Sequence, residues 1–61
     1  MVKEYKLMWK ENNKIKEEYF SSMLDARTFA EENAKRTKAR DYQFYKLYNG
    51  YWEFYENYHI D

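Results

Sequence analysis

The chain has no cysteine, no proline and a single glycine among its 61 residues. The missing cysteine excludes disulfide bridges and thiolate metal sites, and it favours a reducing, cytoplasmic compartment. With so little proline and glycine, few irregular loops are expected, so most of the chain should form regular secondary structure. No apolar run is long enough to span a membrane, and the first ten residues already carry four charges, which is unlike a signal peptide.

An excess of either charge is also missing, because eleven basic side chains balance eleven acidic ones. This balance argues against a generic binder of polyanions. The length allows one domain, predicted to span residues 1–61, and such a domain buries only about 60% of the surface of its unfolded chain. Two tryptophans, eight tyrosines and four phenylalanines are too many rings for a disordered chain, so they are expected to form the core.

The strongest local signal is the Asn49-Gly50 pair between two aromatic-rich runs. A type I′ hairpin turn needs positive φ at both central residues, and Asn followed by Gly suits it best. The predicted second hairpin joins aromatic, apolar and oppositely charged partners across its strands. These pairs are Tyr48 with Tyr51, Leu47 with Trp52, Lys46 with Glu53, Tyr45 with Phe54, and Phe44 with Tyr55.

A first hairpin is predicted from the alternating run at residues 2–10, which is followed by Glu11-Asn12-Asn13 as a turn. A three-residue loop pairs Trp9 with Ile15, whereas a two-residue loop sets Trp9 against Lys16. We therefore expect the longer loop. It also pairs Leu7 with Glu17 and Tyr5 with Tyr19.

Residues 21–39 are predicted to form a helix. Ser22 followed by Asp25 resembles a capping box, and a cluster of basic residues at the other end suits the helix dipole. A narrow apolar stripe at helical spacing consists mainly of alanine, which would let the helix lie close to a sheet. The stripe comprises Ala26, Phe29, Ala30 and Ala34, with Thr37 as a candidate fifth member.

The predicted fold class is therefore α+β, with element order ββαββ. The two hairpins are expected to merge into a four-stranded antiparallel sheet of order 2-1-3-4, with one helix packed on one face. We expect the helix to cover the side that holds both tryptophans and most aliphatic residues. That side comprises Tyr5, Leu7, Trp9, Ile15, Tyr19, Tyr45, Leu47, Trp52 and Phe54.

The opposite side of the second hairpin is then left uncovered and rich in tyrosine. A contiguous aromatic patch on a protein surface tends to mark an interface, and tyrosine offers a large contact area while freezing few torsions. The competing interpretation is that these rings only stabilise the sheet. The candidate partner-binding residues are Tyr42, Phe44, Lys46, Tyr48, Tyr51, Glu53 and Tyr55, flanked by Lys6 and Met8.

Residues for catalysis or metal binding are scarce. His59 is the sole imidazole and has no evident nucleophile beside it, so we interpret it as structural or exposed. The Glu17-Glu18 and Glu31-Glu32 neighbours point in different directions in a strand or helix, so they indicate solvated charges. No transition-metal spacing and no glycine-rich phosphate loop are present. The sequence therefore predicts a protein that is not an enzyme and needs no cofactor.

Three partners remain as alternatives, of which a protein is the first. A single-stranded nucleic acid is the second, because sheet aromatics stack bases and residues 35–40 form a basic patch. A helix C-terminus followed by a solvated loop explains that patch more simply. A second copy of the chain is the third, which would make the protein a self-associating structural one.

Two resemblances bear on function. Phe20, Asp25-Ala26 and Phe29-Ala30 lie around the entry to the helix after a strand–turn–strand unit. This half of the chain resembles the sheet-and-helix unit of phage integrase arm-binding domains, whose basic sheet surface this sequence lacks. The whole chain is similar in length and element order to small accessory proteins of large phages, including antitoxin-like and host-enzyme-inhibiting ones. The second resemblance implies a role as an inhibitor or antitoxin of a host protein.

Overall fold

The structure, a computed structural model, describes residues 2–61 and confirms the α+β class with the order ββαββ. One antiparallel sheet has the strand order β2-β1-β3-β4, as predicted. The helix packs on one face of this sheet and approaches β1 and β2 most closely. The elements are β1 (Tyr5–Glu11), β2 (Lys14–Phe20), α1 (Met23–Arg36), β3 (Asp41–Tyr48) and β4 (Tyr51–His59).

The turn of the first hairpin is shorter than predicted. Asn12 and Asn13 both adopt positive φ, at 52° and 65°, and together form a two-residue turn. Asparagine tolerates this left-handed conformation, so neither position requires glycine. Trp9 consequently faces Lys16, and the predicted pairing of Trp9 with Ile15 is wrong by one residue. Because side chains alternate between faces, this slip moves Ile15 to the face opposite Trp9.

The second hairpin follows the prediction through its first four pairs, from Tyr48 with Tyr51 to Tyr45 with Phe54. Its turn residues Asn49 and Gly50 have φ values of 50° and 82°, as a type I′ turn requires. The next pair departs from the prediction, because a β-bulge between Phe44 and Tyr45 sets Phe44 opposite Glu56. Tyr55 is therefore the extra, unpaired residue of the bulge.

Helix α1 begins directly after the predicted cap Ser22, two residues later than the predicted range, and ends three residues earlier. The Oγ of Ser22 accepts a hydrogen bond from the backbone N–H of Asp25 at 3.1 Å. At the other end, Nη1 of Arg40 donates to the carbonyl oxygens of Ala34, Thr37 and Ala39 at 2.8–3.0 Å. Arg40 thus satisfies carbonyl groups at and just beyond the helix end, as expected for a cation there.

The core lies between the alanine stripe of the helix and one face of β1 and β3. Leu7 pairs with Phe44 and Trp9 with Tyr42, so these four side chains share that face. The fully buried residues are Leu7, Ala26, Ala30, Tyr42 and Phe44, joined by the nearly buried Trp9 and Ala34.

This arrangement corrects the predicted orientation of the second hairpin. Its covered side holds Tyr42 and Phe44, and the side holding Leu47, Trp52 and Phe54 faces away from the helix. Both sides of the hairpin carry rings, so the alternation of side chains along the strands does not show which side is buried. The register of β3 against β1 determines the buried side, because it aligns Tyr42 and Phe44 with Trp9 and Leu7.

Candidate interaction surface

Nothing in residues 2–61 forms a layer over the sheet face opposite the helix. We call this surface the open face. Cross-strand partners share a face, so the registers assign its members from each strand. Its apolar residues are Met8 from β1, Ile15 and Tyr19 from β2, Tyr45 and Leu47 from β3, and Trp52 and Phe54 from β4.

Aromatic rings on the open face contact one another across the sheet. The ring centroids of Tyr45 and Phe54 are 5.8 Å apart in an edge-on arrangement. Tyr19 and Trp52 lie on the two outermost strands, yet their ring centroids are only 5.6 Å apart. Because β1 and β3 separate those strands, the two rings lean towards each other over the middle of the sheet.

Lys6 lies at the centre of this ring group. Its Nζ is 5.0 Å from the centroid of the Tyr45 ring and 5.2 Å from that of the Trp52 ring. Both distances are within the range of cation–π attraction. The centre of the open face is therefore a group of mutually packed rings with the Lys6 cation among them.

The outer part of the open face is exposed to solvent. Ile15 keeps 62% of its surface accessible, Phe54 55% and Tyr19 40%, whereas Tyr45 and Trp52 are half-buried. The Tyr19 hydroxyl donates to Oε1 of Glu17 at 2.9 Å, and this hydrogen bond raises the pKa of Tyr19. The surface thus combines a centre of packed rings around Lys6 with exposed apolar margins, as docking surfaces do, and it also carries Lys10 and Glu17.

The predicted partner-binding residues do not form one surface. Tyr42 and Phe44 are fully buried beneath the helix, so their assignment to an exposed patch is wrong. The flanking residues Lys6 and Met8 belong to the opposite face of the sheet.

The other five predicted residues remain accessible at the distal half of the second hairpin. Lys46, Tyr48, Tyr51 and Glu53 lie on the helix side of the sheet, beyond the residues that the helix buries. Lys46 and Glu53 are aligned as predicted, and Nζ of Lys46 lies 5.7 Å from the centroid of the Tyr5 ring. Tyr55 is exposed at the bulge.

A second cluster of ionisable groups lies where β3 begins and β4 ends. Nδ1 of His59 is 2.6 Å from Oδ1 of Asp41, and its Nε2 is 3.2 Å from Oδ1 of Asp61. The hydrogen bond with Asp41 is the main cause that raises the pKa of His59. His59 and Asp61 border an open cleft of about 640 Å³ that Tyr58 and Arg40 also line. The contact between His59 and Asp41 joins the end of β4 to the start of β3, and it is an ion pair when His59 is protonated.

The basic residues 35–40 are largely engaged within the fold. Nζ of Lys35 lies 3.3 Å from Oε2 of Glu32, and Nη2 of Arg36 is 3.4 Å from Oδ1 of Asn33. Arg40 is held by the carbonyl groups at the end of the helix. This arrangement favours the helix-terminus interpretation of the basic patch over a phosphate-binding one.

Comparison with known proteins identifies no relative: no family model, curated protein or solved structure matches the chain. Within residues 2–61, no group of three or more His, Cys, Asp or Glu side chains is placed to hold a metal ion. The only helix in this part of the chain is too short and too polar to cross a membrane.

Proposed function

We propose that this protein is a non-enzymatic protein-binding module and that its partner docks on the open face. The observation that carries the proposal is the uncovered sheet face with seven apolar side chains, among which Ile15 and Phe54 are more than half exposed. Apolar surface of this kind is stabilised when a partner removes it from water. The rings of the open face already pack against one another, so their side chains lose little conformational freedom when a partner binds.

Protein is favoured over single-stranded nucleic acid by the position of Lys6. Bases stack on free ring faces, but Nζ of Lys6 already lies over Tyr45 and Trp52. The charges on this face are also mixed, since Glu17 on β2 lies opposite Met8 and near Lys6 and Lys10 along the neighbouring strand. A surface that follows a phosphate backbone needs a clear positive excess.

Inhibition of a host protein is the specific role that we propose for this binding. It rests on the similarity in length and element order to small phage accessory proteins. An inhibitor or antitoxin acts by occupying a surface of its target, and such a task requires a docking surface and no catalytic group. The open face is the candidate for that surface.

A pair of matched substitutions on β4 tests which surface binds. Phe54→Ala removes an exposed ring from the open face, and Tyr51→Ala removes an exposed ring three residues away on the other side of the sheet. We expect Phe54→Ala to weaken partner affinity at least about tenfold, as the loss of a hot-spot ring does. Tyr51→Ala should change it by less than about threefold, as a peripheral residue does.

The measurement combines capture and titration. A photo-crosslinking amino acid at position 54 or 51 first identifies the partner in a lysate, and calorimetry with the purified partner then gives the dissociation constant of each variant. Circular dichroism verifies that both variants fold. Crosslinking and affinity loss at position 51 alone would refute the open face and restore the predicted surface around Tyr48 and Tyr51. A partner that proves to be nucleic acid, with affinity falling steeply as salt rises, would refute protein binding.

A further inference from the structure

The two edges of the sheet differ in their capacity to accept another strand. β4 is interrupted by the bulge at Tyr55, and bulges disrupt pairing along an edge. β2 runs for seven residues in unbroken register with β1, and all of them up to Tyr19 are exposed. The β2 edge is therefore the regular and accessible one.

Backbone groups of β2 are left free in an alternating pattern. The residues that flank a two-residue hairpin turn form a hydrogen-bonded pair, so Lys14 and every second residue after it direct their N–H and C=O groups towards β1. The N–H and C=O groups of Ile15, Glu17 and Tyr19 consequently point away from the sheet. An unpaired row of this kind serves as a template for a further strand.

The side chains of β2 suit a strand of identical sequence. If two β2 strands pair antiparallel about Glu17, Lys16 of each copy lies opposite Glu18 of the other, and Ile15 lies opposite Tyr19. This register gives two opposite-charge pairs, two pairs between an aliphatic side chain and a ring, and about six backbone hydrogen bonds through the free groups. Charged side chains normally protect an edge strand from pairing with another strand. Here a twofold axis brings Lys16 of each copy opposite Glu18 of the other, so the charges attract.

We propose that the protein forms a symmetric dimer by antiparallel pairing of β2 with β2 of a second copy, centred on Glu17. The two sheets then become one continuous sheet of eight strands, four from each copy. Pairing about an axis perpendicular to the sheet keeps both helices on one side and both open faces on the other. Ile15 of each copy occupies the position opposite Tyr19 of the other at the seam of the joined open faces, while the Tyr19 ring leans towards Trp52. The dimer does not depend on the protein-binding role.

Glu17 is the one unfavourable residue in this arrangement, because it lies opposite its own copy at the axis. Its carboxylate accepts a hydrogen bond from Tyr19 on the open face, where solvent also reaches it. Like charges directly opposite each other in a sheet are destabilising. We therefore expect Glu17→Gln to tighten the dimer by about threefold or more.

Charge reversal provides the decisive test. Lys16→Glu and Glu18→Lys each turn two attractive pairs into two repulsive ones, so each variant alone should dimerise at least about tenfold more weakly than wild type. An equimolar mixture of the two variants restores opposite charges at all four positions, and it should form a heterodimer. The double variant K16E/E18K should also recover dimerisation. Sedimentation from about 10 μM to about 1 mM covers the range of weak association.

Lys14→Glu is the matched control on the same strand. It changes the net charge by the same amount as Lys16→Glu, but in the proposed register Lys14 lies opposite Phe20, which has no charge. Its dimerisation should stay within about threefold of wild type. A strong effect of Lys14→Glu, or the absence of rescue in the mixture, would overturn the proposed register.

Amide hydrogen exchange provides a readout that needs no substitution. Protection of the amides of Ile15, Glu17 and Tyr19 should rise with protein concentration, whereas amides in the exposed Asn49-Gly50 turn should not change. A wild-type protein that stays monomeric to about 1 mM would overturn the proposal. Dimerisation without added protection at these three amides would place the interface elsewhere and would also overturn it.

Discussion

At the scale of single residues, Tyr42 shows how a polar ring is accommodated in the core. Its ring is fully buried against Trp9, with centroids 5.8 Å apart. Its hydroxyl accepts a hydrogen bond from Nδ2 of Asn33 at 3.0 Å and donates one to the carbonyl oxygen of Ala39 at 3.1 Å. Asn33 is the one buried polar residue of the helix, so this pair ties the last turn of the helix to the start of β3.

Removing that hydroxyl should destabilise the protein. We expect Tyr42→Phe to lower the free energy of unfolding by about 1–3 kcal/mol, because buried hydrogen-bonding groups lose a partner. Tyr51→Phe removes a hydroxyl from a ring that is 75% exposed, and it should cost less than about 0.5 kcal/mol. Urea denaturation of both variants measures the difference. Equal stabilities would contradict the structural role of the Tyr42 hydroxyl.

His59 supplies a pH dependence at the same scale. Its hydrogen bond and ion pair with Asp41 raise its pKa in the folded protein above the ordinary value of 6.5. A folded pKa above the unfolded one contributes stability that is fully present below about pH 6.5 and is lost as the pH rises through the folded value.

We expect the NMR titration of the His59 ring to give a pKa above 6.5, and Asp41→Asn should move it back towards that value. Asp61→Asn serves as the control, because Asp61 is a weaker cause of the shift and its removal should lower the pKa less. A His59 pKa that does not respond to Asp41→Asn would contradict the ion pair.

At the scale of elements, the helix depends on small side chains where it meets the sheet. Ala26 and Ala30 are fully buried and Ala34 nearly so, which lets the helix backbone approach β1 and β2. The larger Phe29 lies at the border of this contact, with its ring centroid 5.6 Å from Trp9 and 5.4 Å from Phe20. The rings of the sheet therefore fill the space that alanine leaves.

A larger side chain in place of a buried alanine of the stripe should force the helix away from the sheet. We expect Ala30→Leu to lower the free energy of unfolding by about 1–3 kcal/mol through overpacking. Thr28→Leu adds an apolar side chain at an exposed position of the same helix, and it should change stability by less than about 0.5 kcal/mol. Thermal denaturation compares the two. A harmless Ala30→Leu would show that the helix does not pack as closely as described.

At the scale of the whole molecule, the open face holds the outermost strands together. Tyr19 on β2 and Trp52 on β4 contact each other over the two central strands. On the other side of the sheet, Arg27 of the helix lies 3.4 Å from Glu56 and its guanidinium lies over the Tyr58 ring. The open face therefore links the two edge strands β2 and β4, and the helix side links α1 to β4.

A double-mutant cycle measures the contact across the open face. We expect Tyr19→Ala and Trp52→Ala to show a coupling energy of about 0.5–1.5 kcal/mol, as contacting aromatic pairs do. Tyr19→Ala combined with Tyr48→Ala should be additive within about 0.5 kcal/mol, because Tyr48 lies on the other side of the sheet. Additivity in the first cycle would mean that the two rings do not interact in solution.

The sequence by itself determined the elements, their order and the second hairpin near its turn. These features depend on local chemistry: the Asn49-Gly50 turn, the Ser22 cap and the alanine stripe each act within a few residues. Local chemistry did not determine the length of the turn at Asn12-Asn13. A three-residue loop puts Glu17 on the apolar face, and a two-residue loop puts Lys16 opposite Trp9. The prediction that paired Trp9 with Ile15 was therefore wrong by one residue.

Tertiary structure alone decided which side of the sheet the helix covers. β3 and β4 carry aromatic rings on both sides, so the alternation of apolar and polar side chains that usually distinguishes the buried side of a strand from the exposed side is missing there. The choice depends on how β3 aligns with β1, which puts Phe44 beside Leu7 beneath the helix and leaves Tyr45 and Phe54 on the open face. That alignment joins residues more than thirty positions apart, and no local preference of either strand specifies it.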